Sequence, residues 1–517
     1  MRLCLYFFAI LSVLNSAVAV FSQGTSANYV TNEVLVKFSA GAEAGKAKTK
    51  LAREGLVVKE RFSDSAWQLI KIPSGLSVEK TLRRYAGEAG IEAVQPNFYY
   101  RLLATPNDTS FSQANMYGLF NISAPQAWDL STGSPAIVVA NIDTGTRYTH
   151  QDLAANMWTN SGETAGNGID DDSNGFIDDY YGYDFFFNDP DPLDEHGHGT
   201  HTAGTIGAVG NNGLGVVGVA WNVKIMTIKI YNASGMGSTS AMLVNAYNYI
   251  RMMKNRGVNI RVTNNAYGGC DEACGYDQAT KDALDAMGDA GIVNVFAAGN
   301  DGLNTDTQPQ YPGSYTSPSV ISVAASTAAD AKAGFSNFGI ESVDLAAPGT
   351  GILSTTRGSD SSYGVSTGTS MSTPHVTGTA ALLAAYHSDL SAASIKATIL
   401  NSVDALGNWK GLVKTSGRLN AHRALQSPTT CAFALSRETV NVGTKGGYFS
   451  IDIAAAENCD FSVKDDVNWI FIEGGVVRSG GGTIRFRVTV SPTPIRTGVI
   501  TVAGKTLTVT QRRGRNF

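Results

Sequence analysis

Residues 136–145 read AIVVANIDTG, an apolar run that ends in a carboxylate, a hydroxyl and a glycine. Three further runs share its character: VKIMTIKI at 223–230, GIVNVFAAGN at 291–300 and VISVAAS at 320–326. Strands this apolar are covered on both faces, and the stretches between them, such as 240–255 and 278–290, favour helices. The expectation is an α/β domain over residues 111–426, a parallel sheet with helices on both faces.

Working outward, the pattern changes on each side. Upstream, NEVLVKF (32–38) and AWQLIKI (66–72) alternate as strands, 42–54 and 78–89 favour helices, and two more strands fall at 56–62 and 91–100. The order βαββαβ over residues 29–103 is a ferredoxin-like α+β unit. Downstream, TIRFRVTV and TGVITVAGKTLTVTQ alternate strictly, which predicts a small antiparallel, immunoglobulin-like β-sandwich over 429–511. A chain of 517 residues has room for about three cores at roughly 100–200 residues each.

The start, Met1-Arg2, an apolar run over 3–14 and Ala17-Val18-Ala19, reads as a secretory signal peptide spanning 1–19; the run is shorter than the ~20 residues needed to cross a bilayer. A secreted, extracellular protein is expected. Once Cys4 leaves with the signal, four cysteines remain, an even number that suits an oxidising compartment. The local pairing joins Cys270 to Cys274 and Cys431 to Cys459. A net charge of -5 without a Lys/Arg block excludes nucleic acid or an anionic membrane as the obvious partner.

Open parallel sheets bind ligands at the carboxyl ends of their strands, which draws the eye to Asp143. By itself an aspartate there is as well explained by a turn or a helix cap. EHGHGTHTAGTIG (195–207) adds His198, and STGTSMSTPHVTGTAALLAA (366–385) adds Ser370 at the start of a helix, whose positive end stabilises developing negative charge. Serine attacks only when a base takes its proton, and histidine serves as that base only when something orients it. Asp, His and Ser in this chain order supply the three roles.

These motifs resemble those of the subtilisin-like serine peptidases, over residues 30 to 426. The resemblance implies a secreted endopeptidase acting through an acyl-enzyme, with Asp143 as orienting acid, His198 as base, Ser370 as nucleophile and Asn300, in AAGN, as oxyanion donor. His196, His201 and His375 are left to packing. The substrate-binding edge is expected at Asn265, Ala266, Tyr267, Gly268 and Gly269, with Ala298 and Gly299; Ala266 stands where the family commonly has serine, which bears on specificity. The N-terminal unit resembles the family's inhibitory propeptide (inhibitor I9-like), an intramolecular inhibitor cut away between Tyr100 and Thr109. Cys431, Gly446-Gly447, Cys459, Trp469-Ile470, Arg496-Thr497-Gly498 and LTVTQ resemble a BACON-type domain, which implies a glycan ligand; Trp469 could stack on a sugar or belong to the core.

GIDDDSNGFIDD (168–179) crowds carboxylates into one loop, with no Lys or Arg between residues 148 and 223. Asp170, Asp172 and Asn174, completed by Asp178 or Asp179, have the spacing of a calcium loop. Tyr181 stands where an EF-hand has its glutamate, so a solvated acidic loop is the other reading. The chemistry needs no cofactor; calcium would stabilise. Protein or peptide substrates and a monomer are expected, and the rival is an inactive subtilisin-like binding protein.

Overall fold

The computed structural model describes residues 29–63, 65–99, 104–268, 275–491, 493 and 495–512. The signal-peptide stretch 1–19, residues 100–103, Gly269 and the Cys270/Cys274 pair lie outside the described residues. The chain divides into two units, Met1–Leu102 and Leu103–Phe517.

The first unit runs β1 (Tyr29–Phe38), α1 (Ala42–Arg53), β2 (Val57–Arg61), β3 (Trp67–Lys71), α2 (Val78–Tyr85) and β4 (Ile91–Phe98), the βαββαβ order read from the sequence. Its sheet is antiparallel, ordered β2-β3-β1-β4. Ala44, Ala47 and Leu51 form the buried stripe of α1 and pack with Val34, Val36, Ile70 and Tyr85. Helix α2 stops four residues short of the expected Ala89. Ala86 is already extended and Gly87 takes a left-handed φ of 80°, a conformation that favours glycine.

In the second unit, two short helices, α3 (Tyr117–Asn121) and α4 (Ala124–Trp128), lead into β5 (Gly133–Asp143), β6 (Gly182–Asp184), α5 (His198–Gly207), β7 (Asn222–Lys229), α6 (Ser240–Asn255), β8 (Ile260–Asn265), α7 (Gln278–Asp289), β9 (Val293–Ala297), β10 (Val320–Ser326) and β11 (Leu345–Pro348). There follow β12 (Ile352–Thr355), β13 (Tyr363–Ser366), α8 (Thr369–Tyr386), α9 (Ala392–Asn401), β14 (Asp404–Ala405), β15 (Gly417–Arg418) and α10 (Ala421–Gln426). The sheet order is β14-β15-β11-β10-β9-β8-β5-β7-β6, parallel except for the β14–β15 pair. From β5 the chain runs out to the edge strand β6, returns to lay β7 between the two, then crosses to β8 on the other side of β5. The crevice where strand order reverses therefore lies at the carboxyl ends of β5 and β8, the place such sheets use for ligands. Asp143 ends β5 and Asn265 ends β8.

The C-terminal region packs two sheets around Ile451, Phe461, Ile484, Phe486, Val502 and Val509. Its strands are β16 (Ala434–Leu435), β17 (Thr439–Gly443), β18 (Gly447–Ala454), β19 (Asp460–Asp465), β20 (Ile470–Glu473), β21 (Val477–Ser479), β22 (Gly482–Val488), β23 (Ile495–Val502) and β24 (Lys505–Arg512). One pairing departs from the antiparallel expectation: β17 runs parallel to β24. Neighbours remote in sequence are joined by no tight turn, so nothing forces them to be antiparallel. Cys431 and Cys459 form a disulfide with their Cα atoms 5.5 Å apart. The region is held to α9 by Lys396 and Asp460, both buried, 2.7 Å apart.

Candidate active site

Two helices bring the chemistry to the crevice, and both begin at a glycine rather than at a capping side chain. Gly197 precedes α5 and Gly368 precedes α8, so His198 and Ser370 sit in first turns whose backbone N–H groups need partners from elsewhere. On α5 Asp194 and Thr144 meet most of the need. Asp194, buried, accepts from the backbone N–H of His196 (2.9 Å), Gly197 (2.7 Å) and Thr200 (2.9 Å) and from the hydroxyls of Thr144 (2.9 Å) and Thr200 (2.6 Å). The Gly199 N–H donates to Thr144 Oγ1 at 3.0 Å. Glycine is required at 199: a Cβ there would lie 2.1 Å from the Gly145 carbonyl oxygen and 3.0 Å from Asp143 Cβ.

That seating puts His198 Nδ1 2.7 Å from Asp143 Oδ1, which also accepts the Thr144 N–H at 2.8 Å. Desolvation pulls the His198 pKa down, but the charge and hydrogen bond of Asp143, with the charge of Asp194, outweigh it, and the net shift is upward from 6.5. The imidazole remains about a quarter exposed.

On α8 the donors are used differently. Asn300, just beyond β9 and exposed, accepts through Oδ1 from the Thr369 N–H at 2.8 Å and the Thr369 hydroxyl at 3.0 Å. Its amide nitrogen is thereby turned outward. A point at the Cβ position of Gly368 lies 3.7 Å from both Asn300 Nδ2 and the Ser370 backbone nitrogen, so the two donors border one space. The Ser370 N–H has no partner among the described residues. Ser370 Oγ donates to the Ala266 carbonyl at 2.8 Å, which ties the expected nucleophile to the expected substrate edge.

Other expected positions divide by burial. The Asn265 side chain is fully buried, donating to Thr263 Oγ1 at 2.7 Å, and Tyr267 hydrogen-bonds Asn265 and Tyr247 through its hydroxyl. Gly268 faces Tyr311 and Pro312. A Cβ at Gly299 would stand 2.3 Å from Gln310 Oε1 and from Asn337 Nδ2, so the floor beside Asn300 is polar. The carbonyl of Ala298 accepts from Asn337 Nδ2 at 2.9 Å. Gln310 and Asn337, like Asp194, belong to no motif read from the sequence; their only sequence signal is proximity to glycines and turns. His201 and His375 are buried against the carbonyls of Ile352 (2.9 Å) and Met371 (2.8 Å), and burial pushes each down to about 4. His196 is exposed, its ring 6.4 Å from that of His198.

In the acidic loop, Glu163, Asp172 and Asp179 bring carboxylate oxygens within 4.8 Å of one another. Asn160 and Asn174 donate to both Asp172 and Asp179. Burial raises Asp179 to about 6 against the hydrogen bonds of Tyr249, Asn160 and Asn174. Asp170 and Asp178 instead accept backbone N–H groups of Asn174 and Gly175, and of Asn167 and Gly168. Glu163, outside the DDD run, was not among the expected ligands. A set of hard oxygen donors around a buried carboxylate suits calcium. Asp108 and Asp152 form a second buried acidic pair, with Asp108 pushed upward by burial and by the charge of Asp152.

Residues 134–425 match the Subtilase family, and residues 15–97 match the Fervidolysin N-terminal prodomain. Thermitase of Thermoactinomyces vulgaris is 38% identical over 322 residues, 62% of this chain and 99% of that protein. The thermophilic serine proteinase of Bacillus sp. (strain AK1) is 32% identical over 77% of this chain and 88% of its own length. The extracellular basic protease of Dichelobacter nodosus is 36% identical over 54% of this chain and 48% of its own. With the Asp143–His198 pair and the Ser370 helix facing one crevice, these matches establish that the chain belongs to the subtilase family and is a serine-type endopeptidase carrying a prodomain.

Proposed function

We propose that Ser370 is the nucleophile, His198 its base, Asp143 the orienting acid, and Asn300 with the Ser370 N–H the oxyanion donors. The observation that carries this reading is the 2.7 Å contact of His198 Nδ1 with Asp143 beside the Ser370 helix. With Nδ1 held, Nε2 is the nitrogen left to take the serine proton. As substrate arrives, Ser370 Oγ turns from the Ala266 carbonyl to His198 and attacks the scissile carbonyl. The negative oxygen enters the space bordered by Asn300 and the Ser370 N–H. His198 then protonates the leaving amine, and water releases the acyl group by the same steps in reverse.

The segment 29–103 acts as an intramolecular inhibitor, cut between Tyr100 and Thr109 by the mature domain 111–426. Export by a signal peptide at 1–19 is supported by the relatives named as extracellular. No described helix is long and apolar enough to cross a membrane. Calcium, held by Glu163, Asp172 and Asp179, would stabilise the loop and take no part in the reaction. The BACON-like region 429–511 would bind a glycan, though not on the face of Trp469, where the Arg496 guanidinium lies 4.2 Å from the ring centre. An inactive binding protein would have no use for these four residues together.

The test compares the precursor with its Ser370→Ala form, following chain length and casein hydrolysis. Loss of about 10⁶-fold in kcat and of processing in the variant is expected. A wild type that neither matures nor cleaves casein would overturn the reading.

A further inference from the structure

The Asp143 carboxylate is almost wholly buried and has two oxygens to satisfy. His198 and the Thr144 N–H serve Oδ1. Among the described residues, the one donor to Oδ2 is Thr202 Oγ1, at 3.1 Å. Thr202 follows His198 by four residues on α5, so the two side chains stand one turn apart on the same face and hold the carboxylate from both ends.

The hydroxyl has two other acceptors in reach, the Gly199 carbonyl at 3.1 Å and Asn141 Oδ1 at 3.3 Å. Both already receive a proton: Asn141 Nδ2 donates to Gly199 at 3.1 Å and Asn264 Nδ2 to Asn141 at 2.9 Å. The carboxylate oxygen is charged and otherwise unserved, so it takes the Thr202 proton. Asn141 lies two residues before Asp143 on β5 and shares its face of the sheet. Asn264 on β8 accepts from Thr377 Oγ1 at 3.1 Å. Thr377 sits two turns beyond Ser370 on α8. Asn141, Thr202, Asn264 and Thr377 are all buried, the two asparagines in strand positions that apolar side chains of a parallel sheet would ordinarily fill.

We propose that Thr202 is a positioning residue of this peptidase: its hydroxyl fixes the Asp143 carboxylate opposite His198, and Asn141, Asn264 and Thr377 keep that contact in register with the Ser370 helix. The proposal rests on the triad reading above. Without the hydroxyl, Oδ2 loses its donor, more of the Asp143 charge is offered to His198, and the imidazolium is held more tightly. The other groups around His198 are Asp194 in the preceding loop, His201 on its own helix, the exposed His196, Arg357, bonded to the His196 carbonyl, and the half-buried Tyr231 near Asp143.

Thr202→Val keeps the volume and removes the donor, while Thr202→Ser keeps the donor. The valine protein is expected to lose about tenfold in kcat with KM unchanged, and the acid limb of its kcat/KM profile moves to higher pH; the serine protein keeps the wild-type limb. A valine protein with wild-type kcat and limb, or a serine protein that copies the valine one, overturns the proposal. Should the valine protein not fold, Thr202→Cys, a weak donor of the same size, is read by the same criteria. NMR titration of His198 in Ser370→Ala, with and without Thr202→Val, reads the contact without turnover. An upward shift there with an inactive wild type would sink the triad reading and leave the contact standing; no shift would sink the contact.

Discussion

Helices α5 and α8 start alike and are finished differently. Each begins at a glycine and enters the same crevice, but on α5 the N–H groups of Gly199 and Thr200 are taken up by Thr144 and Asp194, whereas α8 leaves the Ser370 N–H open beside the Asn300 amide. A helix N-terminus is an anion site in either case. Filled by a buried carboxylate, it becomes a mount for a histidine; left open, it becomes a place where an oxyanion can form.

The difference can be broken from each side. Asn300→Ala empties the open end: kcat should fall by about 10²–10³-fold, with KM nearly unchanged, while the melting point drops only modestly, by what the two lost bonds from Thr369 cost, about 1–2 kcal/mol. A comparable rise in KM, or a variant unfolded at the assay temperature, would mean that Asn300 chiefly holds structure instead.

Acid should strike both helices, since His201 rides on α5 and His375 on α8, each buried with a pKa of about 4 against 6.5 when unfolded. Between those values the unfolded chain binds protons that the folded chain refuses, so stability falls on acidification from about pH 6.5 toward 4, by about 3 kcal/mol for each group. His198, raised above 6.5, acts in the opposite sense: its contribution is present at low pH and lost as pH rises through the raised value. Denaturant melts from pH 4 to 8 check this. A flat profile would show that neither imidazole is held neutral.

Asp194→Asn spoils the filled end. The amide cannot accept all five bonds, which should cost about 2 kcal/mol, and loss of the charge should move the acid limb of kcat/KM to lower pH. An unmoved limb would reduce Asp194 to a cap. Chelation should act least on this comparison: it lowers the melting temperature by loosening the Glu163–Asp179 loop while the limb stays put. Unchanged melting would remove calcium from that loop.

Much of this was legible beforehand because it is local. Apolar runs ending in IDTG and AAGN mark strands with polar carboxyl ends, and HGTH and GTSMSTPH mark helix starts. The strict alternation of β22, with Ile484, Phe486 and Val488 buried and Arg485 and Arg487 exposed, reads as a sandwich strand at sight. The central sheet was harder. Asn141, Thr263, Asn264 and Asn294 are fully or almost fully buried, and nothing in the order of residues says that a buried asparagine on one strand will meet its partner on another.

The chain's own order of residues therefore carries the fold class and singles out Asp143, His198, Asn300 and Ser370 as the expected site, since each rests on periodicity or on a motif a few residues long. Which oxygen meets which donor was settled by packing. Asp194, Thr202, Asn264 and Glu163 acquire their partners through strand order and helix seating, and those contacts join residues far apart in the chain, where spacing carries no information about distance.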